Sequence, residues 1–260
     1  MSDLEVTQDG PVLTVLFNRP EQRNAMTYAM YDGLEEACVR ADEDESVRVL
    51  VLRGAGRAFV AGTDISQFLE FGTGDSTSGD DGVAYEARIE RVVTRLEDVG
   101  VPTVAAVGGA CVGGGLILAA ACDLRVATAS ARFGVPVART LGNCLSMHPY
   151  SLLVSHLGPA RTLDMLLRAR LLSAADAAAA GFVGEVCPDD GLDAALDALV
   201  TTLLGHAPLS MWAAKRAVAR LRRADVPNGD DIVREVFGSA DFRAGVAAFV
   251  ERGQARWTGR

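Results

Sequence analysis

The chain is short of basic charge. With 25 Lys and Arg against 34 Asp and Glu it carries a formal net charge of -9. No nucleic-acid partner is expected, because phosphate backbones are held by basic surfaces. Histidine is scarcer: His148, His156 and His206 stand far from metal-ligand spacing, so no metal site is expected. Cys38, Cys111, Cys122, Cys144 and Cys187 are odd in number, form no CxxC pair and sit mostly in apolar runs, which points to a reducing compartment. The opening MSDLEVTQDG has no basic segment followed by an apolar stretch, hence no expected export signal. No uninterrupted apolar run reaches the roughly 20 residues of a membrane span. These absences predict a cytoplasmic protein with no membrane partner.

What the chain has is glycine in one telling place. Gly108 to Asp123 reads GGACVGGGLILAAACD after the apolar run VPTVAAV, so that Gly113, Gly114 and Gly115 open onto a buried helix. N–H groups at a helix start lack intrahelical acceptors and carry partial positive charge, and glycine lets a ligand approach them closely. Such a turn can be half of an oxyanion hole, although the residues alone favour the plainer reading of a tight strand-to-helix connection. A phosphate-binding P-loop is excluded because no Lys-Ser or Lys-Thr follows the last glycine. A dinucleotide fingerprint at Gly54-Ala55-Gly56 fails because Phe59 occupies the third small position.

At 260 residues the chain suffices for one large α/β domain or a domain with a small appendage. Leu4 to Thr7 and Val12 to Phe17 read as strands joined at the Asp9-Gly10 turn. A helix is expected from the Thr27 cap to Ala41, a buried strand at Val47 to Leu52, and a short helix from about Ile65. Gly72 to Gly82, small and acidic, predicts a mobile surface loop, either a lid or a plain connector. Val83 to Asp98 then reads as a helix, followed by strands at Val101 to Val107, Leu124 to Thr128 and Phe182 to Cys187. This alternation predicts a mainly parallel sheet. Beyond Ser146 the pattern is largely helical, with Ser173 capping SAADAAAAG, then helices at Leu192 to Leu204, Pro208 to Arg223, Asp230 to Ser239 and Asp241 to Ala255. A boundary at His206-Ala207-Pro208 divides a core, residues 1–205, from a helical C-terminal region, residues 206–260.

The segments FNRPEQRNAMT, LRGAGRAFVAGTDI, VPTVAAVGGACVGGGLILAAACDLRVAT, ARFGVP, LLSAADAAAAGFVGEVCP and AFVERGQARW, in this order, resemble the enoyl-CoA hydratase/isomerase (crotonase) superfamily along nearly the whole chain. The resemblance implies an α/β spiral of ββα turns whose helical C-terminal region mediates a homotrimer or a dimer of trimers. It implies an acyl-CoA thioester as ligand, with coenzyme A as part of the substrate and no permanently bound cofactor. By the same resemblance Thr63 and Gly114 supply the two oxyanion-hole amides. Arg23, Ala25, Arg57, Ala61, Asp64 and Ile65 line the path of the coenzyme A moiety, and Arg252 or Arg256 reaches a neighbour's phosphate. From its residue type, Asp64 is expected to fix its own loop.

One departure matters more than the matches. The family's two catalytic carboxylates fall on Ile117 and Val137, neither of which can move a proton. No Asp or Glu occurs from Leu124 to Leu163, so realignment does not restore them. Weak or no hydratase activity is therefore expected, with a lyase or isomerase step, decarboxylation included, or a non-catalytic acyl-CoA carrier as the alternatives. Substitute groups are sought in VARTLGNCLSMH: Arg139, Asn143, Cys144, Ser146 and His148. Their plainer readings are a helix cap for Ser146, a buried hydrophobe for Cys144 and a loop residue for His148. Glu86 is expected on a solvated helix face, although it lies within reach of the acyl pocket.

Overall fold

The computed structural model describes residues 2–73, 77–224, 226, 228–255, 257 and 258. The chain opens with a hairpin of β1 (Leu4–Asp9) and β2 (Val12–Phe17), then α1 (Tyr28–Glu43). Three ββα turns follow: β3 (Val49–Gly54), β4 (Ala58–Val60) and α2 (Ser78–Asp98); β5 (Thr103–Val107), β6 (Ala110–Val112) and α3 (Gly114–Ala121); β7 (Leu124–Thr128), β8 (Arg132–Gly134) and α4 (Met147–Leu167). Next come β9 (Leu172–Ser173), α5 (Ala174–Ala179), β10 (Glu185–Cys187), α6 (Leu192–Leu204), α7 (Pro208–Arg223), α8 (Asp230–Gly238) and α9 (Ala240–Val250). Among the described residues, no helix is long and apolar enough to cross a membrane.

Each turn gives its first strand to one sheet and its second to another. The larger sheet has the order β1-β2-β3-β5-β7-β10 and the smaller β4-β6-β8-β9. All pairs in the larger sheet after the hairpin are parallel, with Leu50 opposite Thr103 and Val104 opposite Leu124. Val49 to Leu52 are buried throughout, as a parallel strand covered on both faces requires. Nearly all of α3 is buried too, packed against α2, α4 and the smaller sheet. The smaller sheet was not legible in advance. Its strands are two or three residues long and apolar or glycine-flanked, too short to show a period of two.

The predicted loop at Gly72 to Gly82 is a helix over its second half; residues 74–76 lie outside the described residues. Thr77 caps α2 by accepting from the Asp80 N–H at 3.2 Å, and Asp80 and Asp81 sit in the first turn, where the helix dipole favours negative charge. The glycines serve packing: a Cβ on Gly82 would fall 2.4 Å from the Phe237 ring, and one on Gly79 2.6 Å from the Arg234 carbonyl. What reads as loop composition is a capped helix start with a smooth face for α8.

That contact turns the C-terminal helices back onto the core. Val233, Phe237, Phe242 and Val246 join Phe68, Leu141 and Cys144 in a buried cluster. The last helix ends at Val250, short of the predicted Ala255, and Phe249, half-exposed, reaches the rim of a cavity below.

Candidate active site

Parallel pairing of β4 with β6 sets Ala58 opposite Ala110 and Val60 opposite Cys111. Both strands therefore leave the sheet at the same edge, and the segments after them run side by side. A Cβ on Gly113 would lie 3.4 Å from Gly62 Cα, and one on Gly114 3.5 Å from Thr63 Oγ1. Gly113 has φ 56° and ψ -125°, a left-handed backbone that glycine enters without steric cost.

Two amides are left free at this junction. Met26 donates to the Gly62 carbonyl at 2.9 Å and accepts from the Asp64 N–H at 2.9 Å, so the Thr63 N–H between them points away from Met26. Gly114 is the first residue of α3 and its N–H has no intrahelical acceptor. Among the described residues neither N–H donates to another protein group. Asn24, fully buried, holds the loops in place by sharing its Nδ2 hydrogens among the carbonyls of Ala55, Ala58 and Phe59 at 2.8–3.1 Å.

Both residues open onto a cavity of about 390 Å³. Its walls include Ile65, Ile117, Val135, Val137 and Phe249, with Arg23 and Ala61 also lining it. Ile117 and Val137 both line the cavity and present only hydrocarbon. Ala25 and Arg57 do not line the cavity. The Ala25 carbonyl is taken by Arg19 Nη1 at 2.6 Å, and Arg57 is exposed. Asp64 fixes its own loop as expected. Burial works against its ionised form, but bonds from Ser66 and Arg19 hold its carboxyl below the usual range.

The cavity does contain one carboxylate, Glu86. It is 4% exposed rather than solvated, and its Oε2 accepts the Ser146 N–H at 2.7 Å. Burial, which disfavours the charged form, pushes the carboxyl up to about 7 against the pull of that Ser146 bond. The signal for it lay in the spacing. Gly82, Glu86, Ile89, Val93 and Leu96 recur at intervals of four and three, and all are buried on α2. A carboxylate inside that stripe cannot face solvent.

The other candidates divide. Asn143 lines the cavity, with a buried Oδ1 that has no protein partner. Ser146 occupies the cap position of α4, yet it is its backbone N–H that serves Glu86; its hydroxyl does not cap. Cys144 packs among Phe237, Phe242 and Val246, and burial pushes its thiol up to about 12, so it stays protonated. His148 lies outside the cavity. It is buried, with Nε2 2.6 Å from Glu97, in a cluster completed by Arg222 and Arg223. Arg139 and Arg252 are exposed and do not line the cavity, and Arg256 lies outside the described residues.

Two backbone N–H groups without protein acceptors and one buried carboxylate thus share a single cavity walled largely by apolar side chains. The chain matches the enoyl-CoA hydratase/isomerase family over residues 7–260 and belongs to it. It is 31% identical over 259 residues to a probable enoyl-CoA hydratase of Mycobacterium bovis, covering 98% of this chain and 97% of that one. It is 31% identical over 265 residues to the 2,3-dehydroadipyl-CoA hydratase of Escherichia coli, covering all of both. A crystal structure of an enoyl-CoA hydratase/carnithine racemase from Magnetospirillum magneticum superposes with a TM-score of 0.80 at 32% identity, covering 100% of this chain and 97% of the other.

Proposed function

We propose that the chain binds an acyl-CoA thioester with its carbonyl oxygen on the Thr63 and Gly114 amides, and that Glu86 shifts a proton along the acyl chain. The reaction is an isomerisation that moves a carbon–carbon double bond through an enolate. Ionised Glu86 takes a proton from an acyl carbon, and the electron pair spreads onto the thioester oxygen held by the two N–H groups. The protonated Glu86 then returns its proton to the carbon at the far end of the conjugated system. One carboxylate acts first as base and then as acid, and no other reactant enters.

The observation that carries this reading is that Glu86 is the one acidic side chain lining the cavity, among the described residues. Adding water to a double bond calls for groups that both activate the water and protonate the carbon, and Ile117 and Val137 do neither. Arg23, Ala61 and Ile65 are read as meeting coenzyme A where it leaves the cavity. The large apolar side chains left in solvent on α7, with Leu209 79% and Leu221 80% exposed, support association of further copies through the C-terminal region, as trimer or hexamer.

The test is a pair of absorbance assays. A 3-enoyl-CoA should gain the conjugated enoyl absorbance, and crotonyl-CoA should keep it. Ordinary hydration of crotonyl-CoA would overturn the isomerase reading. Thermal stabilisation by both ligands with neither one changed would favour an acyl-CoA carrier, for which the Ile117 and Val137 wall is a suitable lining.

A further inference from the structure

Thr63 has a side chain whose bonding the backbone role does not explain. Its Oγ1 lies 3.0 Å from the Tyr31 hydroxyl and 2.7 Å from the Tyr85 hydroxyl. Three hydroxyls bring three protons, and two bonds between them use two. One proton is left over wherever the bonds point.

Chemistry decides where it sits. Tyr31 is fully buried and has no other partner among the described residues, and a buried O–H left unmade is costly, so Tyr31 donates to Thr63. A phenol is also a better donor and a poorer acceptor than an aliphatic alcohol, which makes Tyr85 a donor to Thr63 as well. Its ring is wedged edge-on against Phe68, with centroids 4.9 Å apart, and this keeps its hydroxyl on Thr63. Burial drives both phenols above their ordinary range, so both keep their protons at any working pH. Thr63 Oγ1 then has both lone pairs filled and its own hydrogen unspent. That oxygen lies beside Gly114, 3.5 Å from where a Cβ would stand, at the lining of the cavity. Accepting two bonds polarises an O–H and makes it a stronger donor.

We propose that Thr63 donates twice to the acyl carbonyl oxygen, through its backbone N–H and through the side-chain O–H that Tyr31 and Tyr85 turn toward the cavity. The oxyanion site then holds three donors, two of them from one residue. This rests on the acyl-CoA reading of the cavity.

The experiment compares two coenzyme A thioethers by calorimetry: a nitroalkyl-CoA ionised to its nitronate, which mimics the enolate, and an alkyl-CoA with no oxygen at that place. Thr63→Val keeps the shape and the backbone N–H but removes the hydroxyl. It should weaken the nitronate about 10- to 100-fold, the range for a hydrogen bond to a charged group, and leave the alkyl-CoA unchanged. Thr63→Ser should bind both as wild type does. Equal weakening of both ligands by Thr63→Val, no weakening of the nitronate, or a Thr63→Ser as poor as Thr63→Val would overturn the second donor. Failure of wild type to bind either thioether would instead remove the acyl-CoA reading, and this inference with it.

Discussion

Glu86 and Glu97 lie on the same face of α2, about three turns apart; Glu86 is buried and the Glu97 side chain is 7% exposed. Each also meets the start of α4, Glu86 through the Ser146 N–H and Glu97 through His148. Their charges nevertheless behave oppositely. Glu86 has one neutral donor and its carboxyl rises to about 7. Burial pushes Glu97 the same way, but His148, Arg222 and Arg223 outweigh it and hold its carboxyl below the usual range. Burial alone makes a carboxyl that trades protons near neutrality; burial with cations makes a fixed anion that clamps α4 and α7 to α2.

The contrast breaks most sharply at Glu86. Glu86→Gln should lower double-bond migration by roughly 10²- to 10⁴-fold, measured as kcat on a 3-enoyl-CoA, with the fold retained. Its effect on stability should have the opposite sign. A carboxyl whose folded pKa lies above its unfolded one stabilises the fold at low pH and loses that contribution as pH rises from about 4.5 through about 7. Urea melts should therefore find Glu86→Gln at least as stable as wild type at pH 8.

Glu97→Gln should do the reverse and destabilise by about 3–5 kcal/mol, because two guanidinium groups lose their buried anion. The same denaturant series checks it. Wild-type stability carried by Glu97 is present above about pH 4.5 and lost as pH falls below that value, the depressed-carboxyl direction. A Glu97→Gln protein as stable as wild type at pH 7 would mean that the cluster does not clamp α7.

Gly114→Ala sharpens the comparison from the amide side. Its Cβ would stand 2.5 Å from the Tyr31 hydroxyl, so Tyr31 or the start of α3 must give way, and a shift of α3 carries its first N–H off target. A loss of about 10²- to 10³-fold in kcat is expected, as for removing one oxyanion donor, with the Glu86 pH profile unmoved. The smallest effect is expected at Cys144. Cys144→Ala removes a thiol that stays protonated outside the cavity, so kcat should change less than 2-fold, a bound consistent with no proton-transfer role.

Much of the architecture could be read directly. The hairpin at Asp9-Gly10, the Ser173 cap, α6, α7 and the buried β3 and β5 follow from turn chemistry and from apolar runs of sufficient length. Thr63, Gly114, Ile117 and Val137 were named by the resemblance, and they line one cavity because parallel pairing of β4, β6 and β8 sets the segments after these strands side by side. His148 and Cys144 misled because lone polar residues beside a site carry no mark of which way they face.

The sequence by itself determined the glycine turn that frees the Gly114 amide and the apolar residues at positions 117 and 137, since each depends on neighbours within a few residues, whereas the second sheet of the ββα spiral is made by pairing distant segments. Only the tertiary structure decided which acid faces the cavity. Glu86 and Glu97 have the same chemistry and stand on the same helix face, and the cations that separate them arrive from positions 222 and 223, more than a hundred residues away. A pKa is set by the charges and water around a group, and these are assembled only when distant segments pack together.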